Sequence, residues 1–345
     1  MKLVILARQK YEDYFRKQLL EVAEQQGTPT LYVALLPQNN KIDLVRHGNI
    51  IASYDYYGPM QPIINSIAEF AGTDRLVLLH SSAYANAWKV LQLRVKFCKA
   101  HFVFDVFDDY FYDARGFKLT IFKILDYIYS RLSSGIIVLS KDLSNRRYPG
   151  AFHLDNASHI LPSTSGQSDI CSRVVVIASF DRRLNWQWLQ RLVHLAPDIQ
   201  FDLYGWVHAG DKTMELTLQS IISDYPNLVY RGAYQNSNLA NILVDYQIGL
   251  IPYFAEHKLT QYINPDKIYH YLCAGMEVIS TPIPQAIRMQ QYLHICPTPE
   301  DAACLIHQLL LSKQRKNPRQ LYLKFSWMVR WNELNHFFEN LINDV

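Results

Sequence analysis

The sequence predicts an α/β protein of two doubly wound domains. Three observations carry this. Short apolar runs of strand length alternate with amphipathic stretches of helical period along almost the whole chain, the mark of parallel sheets wound on both faces. The alternation breaks at residues 161–168, a polar stretch containing Pro162 and Gly166, and then restarts. The length, 345 residues, suits two domains of ordinary size.

In the first half, residues 2–7 read as a buried strand. Residues 11–26 read as a helix with Tyr11, Phe15, Leu19 and Val22 along one side, closed by Gly27. The second strand, residues 30–35, is stopped by Pro37, and residues 42–57 alternate weakly as a hairpin would. A helix over 62–71 closes at Gly72, and a strand over 75–79 ends in His80. A helix over 83–97 and a strand over 100–106 follow. The clearest helix of this half, 117–132, places Phe117, Ile121, Ile124, Leu125 and Ile128 on one side. A strand over 135–139 then leads into a helix capped by Ser140 and Asp142.

After the break, strands are expected over 173–177, 200–204, 227–230 and 246–251, with helices over 185–195, 214–222 and 238–244 between them. Gly205 ends the second of these strands, and one more helix covers 302–311. The last segment, 318–345, is helical in period, with Leu321, Phe325, Trp327, Met328, Trp331, Leu334 and Phe338 apolar. Leaving several such side chains in water would forgo about 1.5–3 kcal/mol each. Its polar face (Asn332, Glu333, Asn335, Glu339, Asn340) suits water better than anionic lipid, so contacts from Trp327 and Trp331 to residues before 165 are expected.

Composition narrows the function classes. Hydrophobic residues make up 49% and charged residues 19%, as in an ordered globular chain. A net charge of +3 is too mild to suggest a nucleic-acid binder. The five cysteines form no C-x-x-C pair, which fits a reducing compartment better than a disulfide framework. Residues 3–7 are too short for a secretory h-region, and no run approaches the length of a membrane span. A cytoplasmic location is expected, with peripheral membrane contact left open. The stretch from Trp88 to Lys99 mixes bases and apolar residues and suits either an anionic lipid surface or solvated lysines on an ordinary helix.

The most informative stretch runs from Asn264 to Pro282. Asn264 reads as an N-cap, Pro265 suits the first helical position, Asp266 complements the positive end of the dipole, and Gly275 can close the helix. Ile268 and Leu272 form an apolar stripe, while Lys267, His270 and Tyr271 share another face. Val278 and Ile279 then read as a buried strand. A helix N-terminus beside a lysine is a ready anion site, so a phosphate or diphosphate is the natural ligand.

The run Pro265-x-Lys267-x-x-His270-Tyr271-Leu272-x-Ala274-Gly275-x-x-Val278-Ile279-Ser280-Thr281 resembles the P-x-K-x-x-E-Y-L-A-x-G-x-P-V-V-x-T signature of bacterial GT-B glycosyltransferases. The likeness is to the family 1/4 type, similar to sugar transferases of exopolysaccharide and teichuronic acid synthesis. Three further matches follow in the expected order. Ser179-Phe180-Asp181-x-Arg183-Leu184-Asn185 resembles the family's G-x-x-D-x-R-x-D turn. Residues 201–205 resemble its F-x-L-x-G, and residues 247–253 its D-V-G-L-x-P-F. The likeness is strongest over residues 173–312. It departs at His270, where the family has an acid, at Glu277, where it has proline, and at Ser163-Thr164-Ser165, where it has an Asn-Gly pair.

The resemblance implies two Rossmann-like domains facing a cleft: an acceptor-binding domain over 1–165, a sugar-nucleotide donor domain over 166–317, and a C-terminal helix over 318–345 packing on the first. It implies transfer of a sugar from a nucleotide-diphosphate donor, a UDP-sugar first, to a polysaccharide, lipid-linked or similar acceptor. No cofactor or metal is expected, and no nucleic-acid partner. The implied donor-binding residues are Pro265, Asp266, Lys267, His270, Arg183, Gly205 and Tyr253.

For catalysis, Asp108 and Asp109 follow a predicted strand, where ligands of doubly wound sheets bind, and adjacent carboxylates flanked by aromatics are costly unless solvated, paired or used. Either could be the base that takes the acceptor's hydroxyl proton; a helix cap before Phe117 is the structural alternative. His80 is the rival base, with a buried hydrogen-bonded histidine as its alternative. Lys267 and the nearby amides would stabilise charge growing on the leaving nucleotide. The sequence has no G-x-G-x-x-G, P-loop, H-E-x-x-H, G-x-S-x-G or Asp-x-Asp. A non-catalytic protein of the same fold, binding a partner or glycan, is the alternative that His270, Glu277 and Ser163-Thr164-Ser165 keep open.

Overall fold

A computed structural model describes the chain except for residues 38–40, 47–48, 82–86, 108–110, 112–113, 162–172, 208–209, 313–315 and 344–345. It divides into two compact units, residues 1–155 with 327–345, and residues 156–326.

The first unit is built on an eight-stranded sheet. Its elements are β1 (Lys2–Ala7), α1 (Lys17–Gln25), β2 (Thr30–Leu36), β3 (Lys41–Arg46), β4 (Asn49–Asp55), α2 (Gln61–Ala71), β5 (Leu76–Ser81), α3 (Ala87–Lys96), β6 (His101–Val106), α4 (Gly116–Leu132), β7 (Gly135–Val138), α5 (Lys141–Arg147) and β8 (Phe152–His153). The strand order is β3-β4-β2-β1-β5-β6-β7-β8. All neighbours run parallel except β3 and β4, the hairpin expected over 42–57. β1, β2 and β5 are buried almost throughout, which is why they read as continuous apolar runs.

The helix expected over 11–26 begins only at Lys17. Residues 11–13 form a 3₁₀ turn instead. Tyr11 and Tyr14 pack edge-on and tilted against Tyr32 of β2, and Arg16 turns its guanidinium inward onto Asp105 of β6. Those inward anchors hold the segment out of helical register.

The second unit carries a six-stranded, wholly parallel sheet. Its elements are β9 (Arg173–Phe180), α6 (Trp186–Leu195), β10 (Gln200–Val207), α7 (Lys212–Asp224), β11 (Leu228–Gly232), α8 (Leu239–Leu243), β12 (Ile248–Ile251), α9 (Asp266–Cys273), β13 (Glu277–Ser280), α10 (Pro284–Arg288), β14 (His294–Ile295), α11 (Pro299–Ser312) and α12 (Pro318–Phe325). The order β11-β10-β9-β12-β13-β14 is that of a Rossmann sheet, with its topological switch between β9 and β12. Short β14 and α10 were not legible as elements in the sequence.

Two boundaries lie elsewhere than the sequence suggests. The segment after Asp155 belongs to the second unit, because its hydrogen bonds go there: Asn156 Nδ2 donates to the carbonyl of Asn264 (2.6 Å) and the Ser158 amide to that of Phe325 (2.8 Å). Of the expected linker at 161–168, residues 162–168 lie outside the described residues. The expected single helix over 318–345 is two. α12 packs on α9 in the second unit; Ser326 is extended and bridges to Ser158; α13 (Trp327–Asn343) belongs to the first unit and packs on α1. Trp327 and Trp331 are buried, and Phe337 stacks on Phe152 at 4.6 Å.

Candidate functional site

In doubly wound sheets ligands bind beyond the carboxyl ends of the strands at the switch point. In the second unit that point is opened by one side chain. The β9–β12 ladder ends at Val176 and Leu250, and the next amide, that of Ile177, donates to the Tyr271 hydroxyl at 2.8 Å. The Tyr271 ring lies over Gly249 of β12; a Cβ there would sit 2.4 Å from it. Above this wedge the loops leaving β9 and β12 join again. Leu184 and Tyr253 form an antiparallel bridge, the Phe254 amide donates to Arg183 O (2.8 Å), and the Asn185 amide donates to Pro252 O (2.7 Å). Thr281, just past β13, holds Tyr253 by accepting from its amide (3.1 Å) and donating to its carbonyl (2.6 Å).

This platform carries Arg183 and Tyr253. Asp181 aims Arg183: the guanidinium Nε lies 3.0 Å from each carboxylate oxygen, and Nη2 is 2.5 Å from Oδ2. Burial pushes the Tyr253 phenol above its ordinary pKa against the opposing pull of Lys267 and Arg183. Tyr253 therefore lies within electrostatic reach of both cations.

Lys267 is placed by α9. Its N-cap is Pro265, which offers no side-chain bond, rather than Asn264 as expected. The Asn264 carboxamide instead accepts from the Tyr269 hydroxyl (2.8 Å), which fixes the chain one residue before the helix. The first turn holds Asp266 and Lys267, paired at 2.7 Å. Burial alone would lower the Lys267 pKa, but Asp266 and the phenols of Tyr234 and Tyr253 raise it above the ordinary lysine value. Burial would likewise raise that of Asp266, yet Lys267 and His270 hold it well below the carboxylate range. Tyr234, from the loop after β11, hydrogen-bonds Lys267. The result is a charged pair at a helix N-terminus that keeps its ionisation across the physiological pH range.

His270 is buried beneath the first turn of α9. It is 5% exposed, its Nδ1 lies 3.0 Å from Ser158 Oγ, and its Nε2 faces Asp266 Oδ2 at 3.7 Å. His159 packs edge-on against it at 4.9 Å. Gly205 also has a structural reason: a Cβ there would lie 1.8 Å from the carbonyl oxygen of Ala178 in β9, and its own carbonyl accepts from Tyr230. Glu277 begins β13 buried against Lys316 (2.7 Å) and His294 (2.9 Å), an ion-pair role that proline could not fill. Asp181 and Tyr271 stand in the motifs already read, whereas Tyr234 and Ser158 are participants that motif reading passed over. The glycine inside the β12 run is the sequence counterpart of the Tyr271 ring that packs on it.

In the first unit, His80, one residue before the end of β5, is enclosed by Phe104 and Tyr129, with Nε2 3.2 Å from Ser133 Oγ and 1% exposure. Burial pushes its pKa down to about 3. It is a neutral core histidine, the structural alternative to a base. Asp105, three residues before Asp108, is spent on the Arg16 guanidinium, with Nε and Nη2 each at 3.0 Å. Asp108 and Asp109 lie outside the described residues. Among the described residues no three His, Cys, Asp or Glu side chains are grouped to hold a metal ion, and no helix is long and apolar enough to cross a membrane.

No family model and no curated protein matches the chain. Solved structures do, over essentially the full length. Sucrose-phosphate synthase from Thermosynechococcus elongatus superposes with a TM-score of 0.70 at 14% identity, covering 100% of both chains. Anabaena HepE in complex with UDP gives 0.73 at 12% identity, covering 99% of this chain and 100% of that one. A glycosyltransferase from Rickettsia africae gives 0.66 at 12% identity, covering 100% and 99%. At such identities the likeness establishes the fold.

Proposed function

From the GT-B fold that the chain shares with these glycosyltransferases, we propose that it transfers a sugar from a nucleoside-diphosphate donor, UDP-sugar first, to a glycan, lipid-linked or similar acceptor. The observation that carries this is the Lys267–Asp266 turn at the N-terminus of α9, with Arg183 and Tyr253 on the adjoining loops at the switch point. Lys267 and the first amides of α9 would bind the diphosphate, and their fixed positive charge would stabilise the leaving nucleotide as the glycosidic bond breaks. Arg183, held in its fork by Asp181, would meet the same phosphates from the other side. HepE binds UDP on this fold, which supports the choice of base.

His270 acts in this account as a positioning residue: it locks Asp266, and through it Lys267, to Ser158. Asp108 or Asp109, directly after β6 in sequence, would take the proton from the acceptor hydroxyl, since His80 is enclosed. The test is a turnover assay in which the purified chain is offered UDP-sugars with glycan and lipid-linked acceptors, and UDP release is followed. Release above the protein-free rate supports transfer. Tight UDP binding without turnover on any pair would favour the non-catalytic alternative.

A further inference from the structure

One helical face of the first unit shows apolar side chains to water. α4 buries Asp126 and Tyr129 on its inner side, yet Phe117 (81% exposed), Ile121, Ile124 (53%) and Tyr127 point outward. A helix on a doubly wound sheet normally presents polar residues outward. Here an exposed apolar stripe runs between two bases, Lys118 on one flank and Lys123 on the other, with Arg131 in the last turn. The only acid on α4, Asp126, is buried and accepts from the Tyr148 hydroxyl.

The adjacent helix repeats the pattern. α3 packs on α4, leaves Trp88 70% exposed and carries no acid; Lys96 is exposed, while Lys89 donates to the Gly58 carbonyl (2.9 Å) and Arg94 to that of Ala100 (2.9 Å). The two helices cross over between the neighbouring parallel strands β5, β6 and β7, so they lie on one face of the sheet and both begin at its carboxyl edge. Trp88 and Phe117 therefore stand at that edge together. The chain as a whole is nearly balanced, with 34 bases against 31 acids, so this basic face is a local feature.

We propose that the α3–α4 face docks the first unit on an anionic lipid bilayer. The apolar stripe would enter the boundary between headgroups and acyl chains, and the flanking bases would meet lipid phosphates. Two of these cations already lie along aromatic rings, Lys118 over Phe122 and Arg131 over Tyr127, each at 5.4 Å, as side chains do when stem and head seek different surroundings. A second copy of the chain is a poor occupant, because a two-fold contact would set an all-basic face against itself. The proposal goes beyond sugar transfer and does not depend on it.

The test is flotation of the full chain with vesicles of phosphatidylcholine alone and of an equal mixture with phosphatidylglycerol. Binding to the mixed vesicles, weaker binding to the neutral ones, and loss with added salt are expected. The pairs Lys118→Glu with Lys123→Glu, and Phe117→Ser with Ile124→Ser, should each weaken binding roughly tenfold or more. Both pairs should retain wild-type UDP affinity, which separates failure here from failure of the donor site. Absence of flotation with mixed vesicles, or wild-type binding by both pairs, overturns the proposal. A dimer in sedimentation that Ile124→Lys dissociates would assign the face to a second copy and overturn it equally.

Discussion

The phenol of Tyr271 fills the space that any side chain at Gly249 would occupy, and its hydroxyl takes the amide of Ile177. One tyrosine thus parts β9 from β12 at the switch point of the sheet, where the donor site is proposed. Gly249→Ala should cost about 1–3 kcal/mol of stability through overpacking. Tyr271→Phe should cost about 1–3 kcal/mol by stranding a buried amide. Urea denaturation of both, and of Gly249→Ala combined with Tyr271→Ala, checks the pairing. The glycine substitution should cost far less once the ring is gone; additive losses would contradict it.

His80 makes stability fall in mild acid. Burial holds its folded pKa near about 3, against 6.5 in an unfolded chain. Above 6.5 neither state is protonated, and the penalty is absent. Below it the unfolded state gains a proton that the folded state refuses, so stability is lost as pH falls, by about 2 kcal/mol near about pH 5. His159, pushed down to about 4, acts in the same direction. Unfolding free energies between neutral pH and about pH 5 should slope less steeply for His80→Leu than for wild type. Equal slopes would contradict the assignment.

The buried Arg16–Asp105 pair holds the segment before α1 against β6, with both side chains 1% exposed. Asp105→Ala leaves an unpaired guanidinium in the core and should cost about 3–5 kcal/mol. A loss under about 1 kcal/mol in thermal or urea unfolding would show that the charge escapes to water.

The base is assigned by sequence position alone, so its prediction is functional. Asn at Asp108 or Asp109 should abolish sugar transfer while leaving UDP affinity nearly unchanged. Full turnover by both single variants and by the double variant would remove the pair from the mechanism.

The architecture was legible because buried parallel strands are continuous apolar runs, as at residues 3–7 and 31–35, and because Pro265-x-Lys267 and Asp181-x-Arg183 mark turns at strand and helix ends. What was not legible depends on contacts distant in sequence. Nothing near residue 155 announces that Ser158 is claimed by Phe325 and His270, so the unit boundary was placed late. The extended backbone of Ser326, which ends one helix before the next begins, is fixed by a bridge to Ser158, far away in sequence. His270 and Glu277 looked like lost function in the sequence, yet each is tied into a buried polar network whose other members lie far along the chain. His80 was ambiguous for the same reason, since the rings that enclose it come from β6 and α4.

The central claim is that the first turn of α9 binds the diphosphate of a nucleotide. The direct measurement is calorimetric titration of wild type and Lys267→Ala with UDP and with uridine. Loss of one charge-assisted contact should weaken UDP by about 10–100-fold and leave uridine nearly unchanged. Equal losses for the two ligands, or undiminished UDP binding by Lys267→Ala, would contradict the account.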